Sequence, residues 1–145
     1  MELKNRTVLV TGAGVRLGQA IAVSLGKQGM RVALHYHQSL EGAKETLDLI
    51  GGDSKQHGYF QADLRQVSEI ELLTQQIEVQ LGQIDVLINN AADFFPTPLG
   101  EVGESEWDHL ISLNLKAPFF LSQLVGTPML KRGQGKIVNL SLIHI

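Results

Sequence analysis

Residues Thr7 to Ala22 read TVLVTGAGVRLGQAIA, an apolar run followed by glycines at 12, 14 and 18 and then by the first turns of an apolar-faced helix. Few folds accommodate that succession. The run reads as a buried strand and the glycines as a tight turn into a helix, which is a mononucleotide-binding βα unit. Gly12 lets the chain turn sharply, Gly14 keeps side chains away from a pyrophosphate, and Gly18 lets helix and strand approach closely. The helix would then aim its unpaired N–H groups and the positive end of its dipole at the phosphates.

The rest of the chain continues the alternation. Strand 1 is expected over roughly Thr7 to Thr11, followed by a helix after Arg16 that buries Ile21, Ala22 and Leu25 and ends at Gly29. Strand 2 covers Arg31 to Tyr36, a helix runs from about Leu40 to Ile50 and stops at Gly51-Gly52, and strand 3 covers His57 to Gln61. Ser68 and Glu71 have capping-box spacing, opening a helix to Leu81 with Ile70, Leu73, Ile77 and Leu81 on one face. Strand 4 is Asp85 to Asn89. A loop with Pro96 and Pro98 leads to Ser105, which with Asp108 signals the N-cap of a long helix through Asn114 toward Leu124, and Lys136 to Asn139 begins strand 5. Near-continuous apolar strands (VLV, VAL, VLI) predict a parallel sheet covered on both faces. The expected fold is therefore a three-layer, doubly wound α/β sheet of the Rossmann kind, ordered 3-2-1-4-5 and ending with strand 5. Its ligand crevice lies at the switch point between strands 1 and 4.

At 145 residues the chain has room for one domain. It has no cysteine, which excludes disulfides and thiolate metal sites, and its five histidines lack ligand-like spacing, so no metal is expected. No stretch reaches the roughly 20 apolar residues of a membrane span, and a soluble cytoplasmic protein is expected. The net charge of −3 gives no reason to expect nucleic acid as a partner. From Leu3 to Leu40, however, Lys4, Arg6, Arg16, Lys27 and Arg31 occur without a single acid. That imbalance suits a multiply charged anion.

A dinucleotide site usually has an Asp or Glu at the end of strand 2, about 20 residues past the glycine turn, to bind the adenosine ribose hydroxyls. This chain has His35-Tyr36-His37-Gln38-Ser39 there and no carboxylate from Met30 to Leu40. A 2′-phosphate would be welcomed by Arg16, the imidazoles and the Ser39 hydroxyl, so NADP(H) is expected in preference to NAD. The missing acid also argues against an S-adenosylmethionine enzyme.

The TGxxxxxG spacing of Thr11 to Gly18, Asp63 after strand 3, Asn89-Asn90-Ala91 and Asn114 together resemble the short-chain dehydrogenase/reductase family. Arg16-Leu17-Gly18, Leu34 to His37 (LHYH) and Asn89 to Leu99 (NNAADFFPTPL) further resemble the pteridine reductases within it. The resemblance implies Gly12, Arg16, Leu17 and Gly18 around the cofactor phosphates, and His35, Tyr36, His37 and Ser39 near the 2′-phosphate. It places Asp63 and Leu64 at the adenine and Asn90 and Ala91 at the nicotinamide ribose. Phe94 would stack on a pterin ring, and Asn114, the family's catalytic Asn, would hold a water in the proton relay. It implies NADPH-dependent hydride transfer to a pterin or dihydropterin by a homo-oligomer. The alternatives are a ketone or 3-oxoacyl reductase, or a non-catalytic NADP-binding sensor.

The family's proton donor is a Tyr with a Lys four residues on, and this chain has no such pair: Tyr36 is followed by Leu40 and Tyr59 by Asp63. The family's fourth catalytic position falls on Leu142, which can neither donate nor accept a proton. The ending LSLIHI, Leu140 to Ile145, is what CTG TCT CTT ATA CAC ATC encodes, a string resembling the end of a transposase sequencing adapter. Residues 1–139 are accordingly expected to be the native cofactor-binding domain and residues 140–145 a cloning or assembly scar. A chain of this composition is expected to be inactive by itself.

Overall fold

A computed structural model describes residues 2–51 and 55–141. Five parallel strands form one sheet in the order β3-β2-β1-β4-β5. They are β1 Thr7–Val10, β2 Arg31–Tyr36, β3 His57–Gln61, β4 Ile84–Asn89 and β5 Lys136–Asn139. The helices are α1 Arg16–Lys27, α2 Leu40–Ile50, α3 Val67–Leu81, α4 Glu104–Ile111 and α5 Ala117–Lys131. This is the doubly wound sheet that the alternation of apolar runs and helical segments requires.

Side-chain alternation along the strands divides the core in two. Leu9, Ala33, Phe60 and Leu87 point to one face, where Ile70, Leu73, Ile77 and Leu81 of α3 and Leu121, Val125 and Met129 of α5 cover them. Val8, Val10, Val32, Leu34, Val86 and Ile88 point to the other, under α1 and α2. On α1 only Gly18 and Ala22 are fully buried, while Ile21 and Leu25 pack half-buried against the sheet. A short glycine-bearing helix sits so close to the strands that its bulkier residues straddle the edge of the contact.

The expected helix starts need correction. α3 begins at Val67 with Gln66 as N-cap, so Ser68 lies inside the helix and forms no capping box with Glu71. α4 is capped at Gly103, whose N–H is accepted by Glu106 Oε2 at 3.1 Å, rather than by Ser105 with Asp108. In both places a residue just upstream already adopts the extended N-cap geometry, which leaves the Ser inside the first turn. The expected long helix is also interrupted: a π-helical turn at Ser112–Lys116 separates α4 from α5, and α5 runs on to Lys131 through Pro128. A π turn shifts the register of everything after it, which periodicity read from sequence alone does not reveal.

Near the start of β4, Asp85 is 1% exposed and ties three segments together. It accepts the Thr7 N–H at 3.0 Å and faces Arg6 at 3.3 Å and Arg132 at 3.8 Å. At the opposite edge from β3, all four residues of β5 are exposed. The Leu140 N–H continues that ladder to the Asn89 carbonyl at 3.0 Å, while residues 142–145, with Leu142, lie outside the described part.

Candidate cofactor site

The C-terminal ends of β1 and β4 diverge into two loops, and the Thr11 hydroxyl stitches them. It accepts the N–H groups of Asn90 and Ala91, both at 2.9 Å, and the Thr11 main-chain N–H donates to the Ile88 carbonyl at 3.0 Å. Asn90 returns the contact through Nδ2, which donates to the carbonyls of Thr11 at 2.8 Å and Gly12 at 3.2 Å. The crevice therefore has one wall made of the glycine loop and another made of residues 89–95, held in fixed relation by side chain–backbone bonds.

The glycine loop needs its glycines for identifiable reasons. Gly12 has φ +64°, a left-handed conformation that disfavours a side chain, and a Cβ on Gly18 would collide with the Gly12 carbonyl oxygen. Arg16, at the first position of α1, also has positive φ, +50°, and is exposed together with Leu17. α1 has no acid in its first turn. The open end of a helix with a guanidinium beside it and no competing carboxylate is chemically suited to a polyanion.

The residues expected around the adenosine end separate into two groups. His37 and Ser39 are exposed beyond the end of β2, and Tyr36 is half-buried with its ring edge-on to Tyr59 at 6.1 Å. His35 is different: it is 2% exposed, inside the sheet. Its Nδ1 accepts the Gly12 N–H at 3.1 Å and its Nε2 meets the Ala62 carbonyl at 3.0 Å. The expected contact of His35 with a 2′-phosphate is therefore corrected, since β2 continues through Tyr36 and keeps this ring beneath the loop. Leu64 needs the same correction, because its side chain is 2% exposed within the core and cannot lie on an adenine.

Asp63 stands at the crevice rim, held by Arg65 through Nε at 2.8 Å and NH2 at 2.7 Å. The guanidinium, with the Arg65 N–H, pulls the Asp63 carboxyl down to about 2. Arg65 also meets His109 Nδ1 at 3.3 Å, and His109 Nε2 lies 2.7 Å from Asp93 Oδ2. This strut from the loop after β3 to the loop after β4 has no sequence signature, since its members lie on three separate segments. Asn114 sits in the π turn, where Oδ1 accepts the Asp93 N–H at 3.0 Å and Nδ2 donates to the Asp93 carbonyl at 2.9 Å. Both ends of its amide thus clamp the loop, and the turn that carries it is a local kink. Phe94 is 75% exposed on that loop, and among the described residues no aromatic ring lies against it.

Thr46 is a supporting residue that a search for polar groups near the glycines would miss, because it lies on α2. Its hydroxyl approaches the Ala13 carbonyl at 3.0 Å and takes the Gln19 amide at 3.1 Å. The available signal is its spacing from Gly42, four residues earlier on the same inward helix face.

A family model described as short chain dehydrogenase matches residues 6–144. The chain belongs to the short-chain dehydrogenase/reductase family. Among curated relatives of this family, "Probable galactose dehydrogenase GalD" of Rhizobium meliloti is 36% identical over 98% of this chain and 56% of its own length. The 3-oxoacyl-[acyl-carrier-protein] reductase FabG of Staphylococcus epidermidis is 34% identical over 96% of this chain and 57% of its own. A metagenomic short-chain oxidoreductase crystallised in complex with NADP superposes with a TM-score of 0.90 at 32% identity, covering 99% of this chain and 65% of that one. The chain thus spans little more than half the length of these curated relatives. They overturn the assignment to the pteridine reductases, being of dehydrogenase and 3-oxoacyl reductase type. The motifs behind that assignment lie in the phosphate loop, β2 and the loop after β4, and an exposed Phe94 forms no slot for a flat ring.

Burial gives the site a defined acid sensitivity. Desolvation lowers the His35 imidazole from 6.5 to about 4, with the neighbouring His37 adding to the shift and the Ala62 carbonyl and Asp63 opposing it. The unfolded chain takes up that proton near its ordinary value while the folded chain resists, so stability is complete above pH 6.5 and falls toward pH 4. Asp63, depressed to about 2, extends the loss in the same direction below pH 4. Chemical denaturation between pH 7.5 and 4.5 should show a loss of about 2–3 kcal/mol, with a shallower slope in His35→Asn. A flat profile would mean that His35 titrates normally.

Proposed function

We propose that this chain supplies the NADP(H)-binding part of a short-chain oxidoreductase that interconverts a carbonyl compound and an alcohol, with ketones or 3-oxoacyl groups as the substrate class. The observation that carries the reading is the exposed pair of anion-compatible features at the crevice. Arg16 stands at the acid-free start of α1, and the end of β2 offers His37 and Ser39 where a carboxylate would repel a 2′-phosphate. The NADP in the metagenomic relative and the carbonyl–alcohol chemistry in the names of the curated relatives support it.

When bound, the cofactor supplies the hydride. The chain's own residues orient it: Gly12 and Gly18 let the loop, α1 and Asn90 pack closely beside the pyrophosphate, Arg16 and Leu17 flank it, and Tyr36, His37 and Ser39 border the ribose phosphate. Asp63 edges the adenine pocket, Asn90 and Ala91 line the nicotinamide side, and Phe94 offers apolar surface to substrate. Asn114 holds the loop that carries Phe94. The 3-oxoacyl reading is favoured over a polyol because Phe94 and Phe95 make that loop apolar.

NADPH should bind this chain more tightly than NADH by about tenfold to a hundredfold, the worth of a charge-assisted contact, and Arg16→Gly should erase most of the difference. Fluorescence titration with both cofactors measures it, and equal affinities in the unsubstituted chain would sink the reading. Because no Tyr is followed by a Lys four residues on, no turnover of a 3-oxoacyl thioester above background is expected from these 145 residues alone. NADPH oxidation followed at 340 nm tests that, and measurable turnover would place the proton donor elsewhere.

A further inference from the structure

We propose that His35 is the positioning residue that sets the shape of the glycine loop, acting through the neutral tautomer of its ring that carries the proton on Nε2. The inference rests on the cofactor reading of that loop for its functional consequence, but its geometry stands by itself. The Gly12 N–H can only donate, so the Nδ1 it meets at 3.1 Å must be an acceptor. The Ala62 carbonyl can only accept, so the Nε2 it meets at 3.0 Å must carry the hydrogen. A single tautomer satisfies both ends of a ring that is 2% exposed, and the alternative tautomer or the imidazolium would set two N–H groups against each other at Gly12.

His35 also grips the next residue, since its main-chain carbonyl accepts the Ala13 N–H at 2.9 Å. Two consecutive loop residues are therefore bound to one residue of β2, one through the ring and one through the backbone. From the other side, Thr46 approaches the Ala13 carbonyl at 3.0 Å, and Asn90 takes the Gly12 carbonyl at 3.2 Å. The Gly12 amide is thus engaged by the protein itself and is not a phosphate donor. The Ala13 N–H is taken up in the same way, so the loop's anion-facing amides are those after Ala13, toward the start of α1. His35 contributes to cofactor affinity by preorganising the loop and not by touching a phosphate.

The test uses the full chain, unsubstituted and as His35→Leu and His35→Asn. Histidine ¹⁵N shifts read the tautomer, amide hydrogen exchange reads Gly12 and Ala13, and fluorescence titration reads NADPH affinity. The expected result is an Nε2–H imidazole at neutral pH. His35→Leu should speed Gly12 exchange and weaken NADPH binding, each by about tenfold. His35→Asn should stay close to the unsubstituted chain, since its Oδ1 lies where Nδ1 was and can accept the same N–H. An Nδ1–H or doubly protonated ring at pH 7 would overturn the proposal, as would Gly12 exchange unchanged in His35→Leu. If His35→Leu fails to fold, the tautomer in the unsubstituted chain decides. Absence of NADPH binding in the unsubstituted chain would defeat the cofactor reading instead, with tautomer and exchange still deciding the role of His35.

Discussion

Replacing Asp85 by alanine should destabilise the domain by about 3 kcal/mol, the scale of breaking a buried ion pair from one side. The carboxylate is 1% exposed and has two jobs. Oδ2 accepts the Thr7 N–H at 3.0 Å at the very start of β1, and Oδ1 lies between the guanidinium groups of Arg6 and Arg132. Removing it leaves a buried backbone donor without its partner and two cations facing each other across the resulting space. The side chains of Arg6 and Arg132 keep 31% and 20% exposure, so both can turn partly to water, which holds the loss near the lower end of the range for buried pairs. Asp85→Asn keeps an acceptor for Thr7 and should recover part of the loss. Urea denaturation of the three chains measures this, and a loss below about 1 kcal/mol in the alanine variant would show that Asp85 is dispensable to β1.

The second large effect is expected at Gly18. A Cβ there would press on the Gly12 carbonyl oxygen and come within 2.6 Å of Asn90 Nδ2. The first of these is main chain, which cannot rotate aside, so Gly18→Ala must push α1 away from β1 or displace the glycine loop. Overpacking of this kind costs about 1–3 kcal/mol. The displacement also strains the bonds from Asn90 to the Thr11 and Gly12 carbonyls, at 2.8 and 3.2 Å, that hold the two crevice walls together. NADPH affinity should therefore fall by more than stability alone accounts for, by about tenfold or more. Paired thermal melts and NADPH titrations separate the two effects. An unchanged affinity with a lowered melting temperature would assign Gly18 to helix packing only.

Much of the architecture is legible in the sequence. The apolar strands and the helices between them are legible because a parallel sheet buried on both faces leaves continuous Val, Leu and Ile runs, and the glycines at 12, 14 and 18 mark the turn at its centre. Strand order follows from the same alternation. Helix caps were less legible: a Ser three residues before an acidic side chain is only compatible with a cap, and Gln66 and Gly103 took the position instead. The choice depends on where the incoming loop lets the backbone extend, a property of the neighbouring strand and not of the local residues.

The site shows the same division. Composition alone identified an acid-free segment around Arg16, His37 and Ser39, because charge belongs to residues wherever they are placed. Residue type could not say which imidazole meets solvent. His35 and His37 are two residues apart at the end of one strand, yet β2 pairs with β3 through Tyr36, leaving His35 opposite Phe60 inside the sheet and His37 outside it. The assignment among pteridine reductases failed for a related reason, because residues around a shared cofactor crevice say little about the substrate beyond it. The Asp63–Arg65–His109–Asp93 strut and the Asn114 clamp were likewise settled only in three dimensions. Apart from the local Asp63–Arg65 pair, their partners are brought together by the chain's path across the sheet, and hydrogen bonds at 2.7–3.3 Å between distant segments leave no periodicity for a sequence to carry.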